Sequence, residues 1–256
     1  MADFDNRVLR SQAAPADAVD AGLRSYMLRV YNYMLIAMVL TGVTAYGVYS
    51  ASVTTNPALA AHVFPHGLML TQLGVTLFAT PLRWVFALAP VAIALYLQVR
   101  LRNMSLGGAQ LGFWIFAALM GVSMATIFLV YTQTSIAQVF FITAAAFAGL
   151  SLYGYTTRRS LSGIGSFLIM GAWGLFIAMI VNIFLQSAMI MWIASVAGVG
   201  IFAGLTAYNT QAIKEMYSAN DDGTVSGRKA ILGALVLYID FINMFQFLLY
   251  LIGNRR

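Results

Sequence analysis

One acidic residue stands alone inside an otherwise apolar stretch of this 256-residue chain. Asp240 lies in the middle of Ala230–Ile252, whereas the other acidic residues lie in the amino-terminal tail or in the connection before that stretch. An ionised carboxylate at the centre of a membrane helix costs about 2.5–3.5 kcal/mol on insertion scales, so it needs a partner, water or a proton. We interpret Asp240 as an ion or proton site, and the alternative is a structural hydrogen bond or salt bridge.

Amide side chains accompany this carboxylate. Asn243 and Gln246 follow Asp240 by three and six residues and therefore drift slowly around the same helix face. Lipid cannot satisfy such groups, so the polar stripe is expected to face the interior of a helix bundle. Three amides of earlier segments are expected to line the same cavity, or else to serve as packing hydrogen bonds between helices: Asn182, Asn209 and Gln211.

The elements that must position these residues are membrane helices. Apolar residues make up 61% of the chain and charged residues 9%, which is too little charge to cover a soluble protein of this size. About 20 apolar residues of helix cross a hydrocarbon layer roughly 30 Å thick. The sequence predicts an all-α integral membrane protein with seven spans near Val30–Ser52, Leu82–Val99, Gln110–Tyr131, Ile136–Thr156, Gly163–Leu185, Ala188–Asn209 and Ala230–Ile252.

The distribution of basic residues predicts the orientation of these spans. Eleven of the fourteen Lys and Arg residues fall in the tail and in the second, fourth and sixth connections. Positive charge is retained on the cytoplasmic side, so the amino terminus is predicted to be cytoplasmic. Residues 1–25 contain no apolar signal segment and are predicted to form a flexible cytoplasmic tail before a membrane domain over 26–256. Arg255 and Arg256 disagree with seven crossings, so they are either tolerated outside or the last segment re-enters the membrane.

Several classes of function are disfavoured. The chain has no cysteine, no phosphate-binding glycine loop and no Ser, His and Asp set placed for acyl transfer, so we do not expect an enzyme. The net charge of +6 is explained by topology rather than by nucleic-acid binding. His62 and His66 have the spacing of a helical metal site, but Pro65 between them argues against a helix, so a metal site stays unknown.

The segments Leu237–Phe245 and Ala207–Lys214 resemble the signature of the Bax inhibitor 1 family, also called the transmembrane Bax inhibitor motif family. The resemblance covers nearly the whole chain from about Tyr26 onward. It implies a seven-helix bundle with a central seventh helix and a pH-sensitive leak of calcium across the membrane. It also implies a proton-sharing pair of aspartates on the sixth and seventh helices, linked to an arginine near the cytoplasmic end of the second helix.

Carried onto this sequence, the seventh-helix aspartate matches Asp240 and the sixth-helix position matches Asn209, where this chain departs from the usual aspartate. The arginine matches Arg100, with Arg102 as the second choice. Two neighbouring carboxylates cannot both ionise cheaply, so they titrate as a unit. An amide at position 209 keeps the hydrogen bonding but removes the like charge. The expectation is a shifted or blunted pH response, weaker cation attraction, and Asp240 free to pair with Arg100.

The leading function is thus a pH-sensitive calcium leak channel, with calcium as the permeant ion and no cofactor. The alternative is a membrane scaffold that regulates a partner such as a membrane-bound protease, as the resemblance to some bacterial members implies. In that case the tail and the Ser218–Arg228 connection would form the contact surfaces, and Asp240 would only hold the bundle together. The expected location is the plasma membrane of a bacterium.

Overall fold

The computed structural model describes residues 16–63 and 69–255 of the chain. Within these ranges, seven helices are long and apolar enough to cross a membrane, which confirms the predicted class. In chain order they are α1 Ala16–Ser52, α2 Leu82–Arg100, α3 Leu106–Met124, α4 Gln133–Thr156, α5 Ser162–Leu185, α6 Ala188–Glu215 and α7 Gly223–Ile252. A short helix, Ile127–Val130, follows α3.

Three helices extend further than their apolar stretches suggested. α1 begins at Ala16 rather than near Val30, so it includes part of the segment 1–25 that was predicted as a tail, and residues 1–15 lie outside the described ranges. α6 continues to Glu215. α7 begins at Gly223 because the Asp222 side chain accepts a hydrogen bond from the Val225 amide and caps the helix.

The seventh helix is the centre of the bundle, as predicted. α7 packs against α6, α1, α4 and α3. Its largest fully buried side chains include Tyr238, Phe241 and Leu237. By contrast, α5 packs mainly against α6 and leaves most of its apolar surface exposed. The apolar surface around the other helices faces the space that lipid occupies in a membrane.

The long connection between α1 and α2 forms a small antiparallel sheet. β1 (Val53–Thr54) and β2 (His62–Val63) both pair with β3 (Met69–Leu70), which lies between them. A three-residue helix, Gln72–Gly74, and a π-helical turn, Val75–Ala79, then lead into α2. The described residues of this connection therefore lie at one end of the bundle and contain no further spanning helix.

The two ends of the bundle differ in charge. We call the end at which α2, α4 and α6 finish and α7 begins the basic end. There the Arg228 guanidinium donates to the Arg102 and Met104 carbonyl oxygens at 2.5 and 3.1 Å, and Lys214 Nζ donates to the Tyr155 carbonyl at 2.9 Å. The connection with the small sheet lies at the opposite end.

The carboxyl-terminal residues lie at this opposite end, because α7 runs unbroken for 30 residues. A helix of that length is about 45 Å long and crosses the bundle once, which argues against a re-entrant last segment. The Arg255 guanidinium lies over the rings of Tyr131 and Tyr250, with its carbon 5.9 and 5.1 Å from their centroids. Hydrogen bonds to these tyrosines, chiefly to Tyr131, raise the Arg255 pKa above its ordinary value.

Candidate functional site

The buried carboxylate of α7 meets an amide of α6. Asn209 Nδ2 donates to Asp240 Oδ2 at 2.7 Å, and the Asp240 residue is only 3% exposed. Among the described residues, this is the one hydrogen bond to the Asp240 side chain, and no ion pair reaches it. An ionised carboxylate can accept about four hydrogen bonds, so this group retains capacity for a proton, a water molecule or a cation.

A second polar contact lies one helical half-turn earlier on α7. The Tyr238 hydroxyl and Thr41 Oγ1 of α1 are 2.6 Å apart, and the Thr41 hydroxyl also donates to the Ala117 carbonyl of α3 at 2.8 Å. The Tyr238 ring is completely buried and lies edge-on to Phe116 at 5.2 Å. This network ties three helices together near the level of the carboxylate.

A further set of hydrogen-bonded hydroxyls lies beside Asn209 along α6. The Ser151 Oγ of α4 lies 2.6 Å from the Tyr31 hydroxyl and 3.0 Å from Thr210 Oγ1. The Thr210 hydroxyl donates to the Thr206 carbonyl of its own helix at 2.8 Å. These hydrogen bonds link α1, α4 and α6. The residues beside the Asn209–Asp240 contact are therefore held by bonds that do not involve Asp240. These hydroxyls could not be singled out from the sequence, because single Ser, Thr and Tyr residues occur throughout the apolar spans.

Two cavities lie on either side of the carboxylate along α7. One, of about 520 Å³ at the opposite end, is lined by Gln246, Arg83 and Tyr131 among others. The other, of about 360 Å³ at the basic end, is lined by Leu101, Arg102, Met216 and α7 residues as far as Leu232. At 1.5 Å of rise per residue, Asp240 lies about 12 Å beyond Leu232 and about 9 Å before Gln246. Both cavities involve α7 together with residues of or next to α2 and α6.

The predicted arginine partner does not reach the carboxylate. Arg100 is exposed in the last turn of α2 and forms no ion pair with Asp240, and Arg102 is exposed in the turn that follows. The Arg228 side chain contacts the Arg102 carbonyl, so Arg102 lies level with the start of α7. Asp240 lies twelve residues beyond Arg228 on α7, which is about 18 Å along the helix. This offset keeps the Arg100 and Arg102 side chains away from the Asp240 carboxylate.

The other predicted amides do not share one cavity. Asn243 Nδ2 donates to the Ile239 carbonyl of its own helix at 2.8 Å, and Gln246 is exposed in the larger cavity. Asn182 Oδ1 accepts from the Ser187 amide at 2.9 Å and so shapes the turn between α5 and α6. Gln211 accepts from the Leu161 amide and donates to the Arg159 carbonyl, which fixes the connection between α4 and α5. Asn182 and Gln211 are therefore used by the connections next to them, and neither lines a cavity shared with Asp240.

The histidine pair is only partly described. His62 lies in β2 rather than on a helix, so the helical i, i+4 geometry is not formed, and His66 lies outside the described residues. Within residues 16–63 and 69–255, no group of three or more His, Cys, Asp or Glu side chains is arranged to hold a metal ion.

Comparison with known proteins places this arrangement in a family. The sequence model of the family described as "Inhibitor of apoptosis-promoting Bax1" matches residues 23–256. The chain is 38% identical over 238 residues to the inner membrane protein YbhL of Escherichia coli strain K12, covering 92% of this chain and 94% of that protein. It is 42% identical over 237 residues to the uncharacterized protein RP147 of Rickettsia prowazekii strain Madrid E, covering 93% and 92%.

A third relative, the uncharacterized membrane protein SpyM3_0260 of Streptococcus pyogenes serotype M3, is 39% identical over 143 residues, covering 56% of this chain and 62% of that protein. Two of these relatives are thus named as membrane proteins, in agreement with the seven spans. With a family match over nearly its whole length and a buried carboxylate on a central seventh helix, the chain belongs to the Bax inhibitor family of membrane proteins.

Proposed function

We propose that this protein is a pH-sensitive calcium leak channel in which the contact between Asp240 and Asn209 is the gate. The observation that carries the proposal is the position of the carboxylate. It is buried, holds one hydrogen bond, and lies between two cavities that open at opposite ends of the bundle. A cation that passed from one cavity to the other along α7 would pass the level of Asp240, where a carboxylate oxygen is a preferred calcium ligand.

The charge around the gate supports a proton-dependent response. Asp240 is the only Asp, Glu, Lys or Arg within residues 230–254, and residues 106–156 and 160–213 contain none. A change of charge at Asp240 is therefore poorly compensated by neighbouring groups. Because Asn209 stands where relatives are expected to have a second aspartate, this chain should respond less to pH and attract cations more weakly than they do.

The test is calcium influx into proteoliposomes across about pH 6 to 8, where the carboxylate pair created by Asn209→Asp would exchange its shared proton. Asp240→Asn should abolish the pH dependence, and Asn209→Asp should strengthen it. Asn182→Asp is the matched control, because it also converts an amide to a carboxylate but can still accept from the Ser187 amide. If the dependence of calcium influx on pH is the same in Asn209→Asp as in the unmodified protein, the proposed gate is contradicted. If folded protein passes no calcium at any pH, the scaffold function replaces the channel.

We also propose that the basic end is cytoplasmic and that the membrane is the bacterial plasma membrane, because most of the basic residues lie at that end. Since the chain has no cysteine, single cysteines report its orientation without background. A cysteine at exposed Ser160 should react with an impermeant thiol reagent only after the cells are opened. A cysteine at exposed Asn56, at the opposite end, should react in intact cells once the reagent has crossed any outer membrane. The reverse result would overturn the orientation.

A further inference from the structure

A long groove separates α1 from α4 at the surface of the bundle. It encloses about 600 Å³ and is lined by α1 residues from Arg24 to Met38, α4 residues from Ala144 to Tyr155, and Phe241 of α7. Its wall is almost entirely apolar. The groove is distinct from the two cavities on either side of Asp240, which are lined by residues of or next to α2 and α6 rather than by α1 and α4.

The groove continues deeper into the membrane region. A second cavity of about 100 Å³ shares Met38 and Phe241 with it and extends to Ala45 of α1 and Phe245 of α7. From Arg24 to Ala45 the helix rises about 31 Å, which is close to the thickness of the hydrocarbon layer. The two cavities together thus follow α1 over about this length.

The walls of the groove suit a flexible hydrocarbon chain. Met27, Met34 and Met38 lie on one side, and unbranched thioether side chains adapt to irregular apolar shapes. Three side chains of the wall carry hydroxyls: those of Tyr31 and Ser151 bond to each other at 2.6 Å, and Tyr155 stands in the last turn of α4, at the basic end. An occupant therefore has no unsatisfied polar group to pair with in this part of the groove, and a polar solute would lose its own hydration there.

Only the mouth of the groove at the basic end carries charge. The Arg24 side chain lines it and is exposed. Lys214 lies next to the groove, because its Nζ donates to the Tyr155 carbonyl and stands 5.3 Å from the centroid of the Tyr155 ring, which is a wall residue. Two cations at the end of this apolar groove complement an amphiphile with a negative head and a hydrocarbon tail.

We propose that the groove between α1 and α4 binds one acyl chain of an anionic phospholipid, whose phosphate lies at Arg24. The lipid comes from the leaflet at the basic end, and its acyl chain lies against Phe241, the residue that follows the buried carboxylate. This inference goes beyond the calcium leak and does not depend on it.

The test measures lipid retained by the full chain in detergent, with native mass spectrometry after delipidation and addition of phosphatidylglycerol or phosphatidylcholine. Arg24→Gln should weaken retention of phosphatidylglycerol about fivefold, since a basic residue near the surface contributes on the order of 1 kcal/mol, and should leave phosphatidylcholine unchanged. The control is Arg29→Gln, which removes an exposed arginine of the same helix outside the groove.

A second pair of variants tests the acyl site itself. Ala148→Trp fills the groove and should abolish retention of both lipids, whereas Ala146→Trp places the same side chain on an exposed part of α4 outside the groove. The proposal is overturned if the two lipids are retained equally by the unmodified protein, or if Ala148→Trp and Ala146→Trp behave alike. It is also overturned if the groove is filled by a second copy of the chain, seen as a dimer that Ala148→Trp disrupts.

Discussion

Two helices that are both apolar enough to cross a membrane, α7 and α5, occupy opposite places in this bundle. Buried residues make up 56% of the most apolar window of α7 and 6% of that of α5. The polar residues of α5 stand near its two ends, at Ser162, Ser166 and Asn182, whereas α7 carries Tyr238, Asp240 and Asn243 near its middle. Since lipid cannot satisfy polar groups, their depth along a helix decides which helix lies inside, rather than its apolar content.

The largest expected effect contrasts one aromatic side chain from each helix. Tyr238→Ala in α7 should lower the free energy of unfolding by about 3–5 kcal/mol, because it opens a cavity against Phe116 and removes the bond to Thr41. Phe167→Ala in α5, where the side chain is 69% exposed, should change it by no more than about 0.5 kcal/mol. Denaturant unfolding in detergent measures both. Equal losses would mean that the Phe167 side chain of α5 is packed as tightly as that of Tyr238, which would contradict its exposure.

A smaller effect separates Tyr238 packing from its hydrogen bond. Tyr238→Phe keeps the ring and should cost about 1 kcal/mol, the net value of a typical intramolecular hydrogen bond. The same unfolding measurement applies, and Thr41→Val with Tyr238→Phe in one chain should cost less than the two single changes added together. Full additivity would contradict a direct bond between the two hydroxyls.

Glycines of α6 test the same contrast from the neighbouring helix. A Cβ at Gly198 would lie 2.5 Å from two atoms of the buried Phe247 ring of α7, so Gly198→Ala should destabilise by about 1–3 kcal/mol. A Cβ at Gly204 would meet only the end of the Leu168 side chain of α5, which can move, so that change should cost clearly less. Gly200→Ala has open space and should stabilise by up to about 1 kcal/mol through helix propensity. Thermal unfolding in detergent gives the order.

The start of α7 offers a smaller test. Asp222→Ala removes the cap at the Val225 amide and should cost about 1 kcal/mol, while Asp222→Ser keeps a capping oxygen and should cost less. α5 has no capping side chain at its first turn, so of these two helices only α7 should be destabilised by the loss of a cap. Hydrogen exchange at Val225 should rise in Asp222→Ala and remain low in the serine variant.

The smallest expected effect concerns the ion pair beside that cap. Lys229 Nζ lies 2.6 Å from Asp221 Oδ2, and both side chains are partly exposed. Asp221→Asn should therefore cost about 0.2–1 kcal/mol at low salt, and the difference should shrink as salt is added. Unfolding at low and high ionic strength checks this, and a salt-independent cost would mean that the contact acts as a hydrogen bond alone.

The fold was predictable from the sequence because seven apolar stretches leave few alternatives. The helix starts were less predictable, since polar first turns such as those near Ala16 and Gly223 carry no apolar signal. Their position depends instead on caps and on contacts outside the hydrocarbon layer. The buried place of Asp240 followed from the cost of a charge in lipid, and its meeting with Asn209 followed from the resemblance.

The rest of the site depended on distances that no pattern along the chain encodes. Arg100 and Asp240 are separated by the offset between the ends of two helices, and Asn182 and Gln211 are used locally by neighbouring turns. The bond between Tyr238 and Thr41 joins residues 197 positions apart. Such contacts are properties of the assembled bundle, so they could not be read from the residues singly.

The central position of α7 also constrains the order in which the bundle can assemble. Chains are synthesised from the amino terminus, so the first six helices enter the bilayer before the helix they surround exists. Until then, Thr41 and Asn209 lack Tyr238 and Asp240 as their partners. The bundle can therefore close only after α7 arrives, and membrane insertion and assembly are separate events in the biogenesis of this protein.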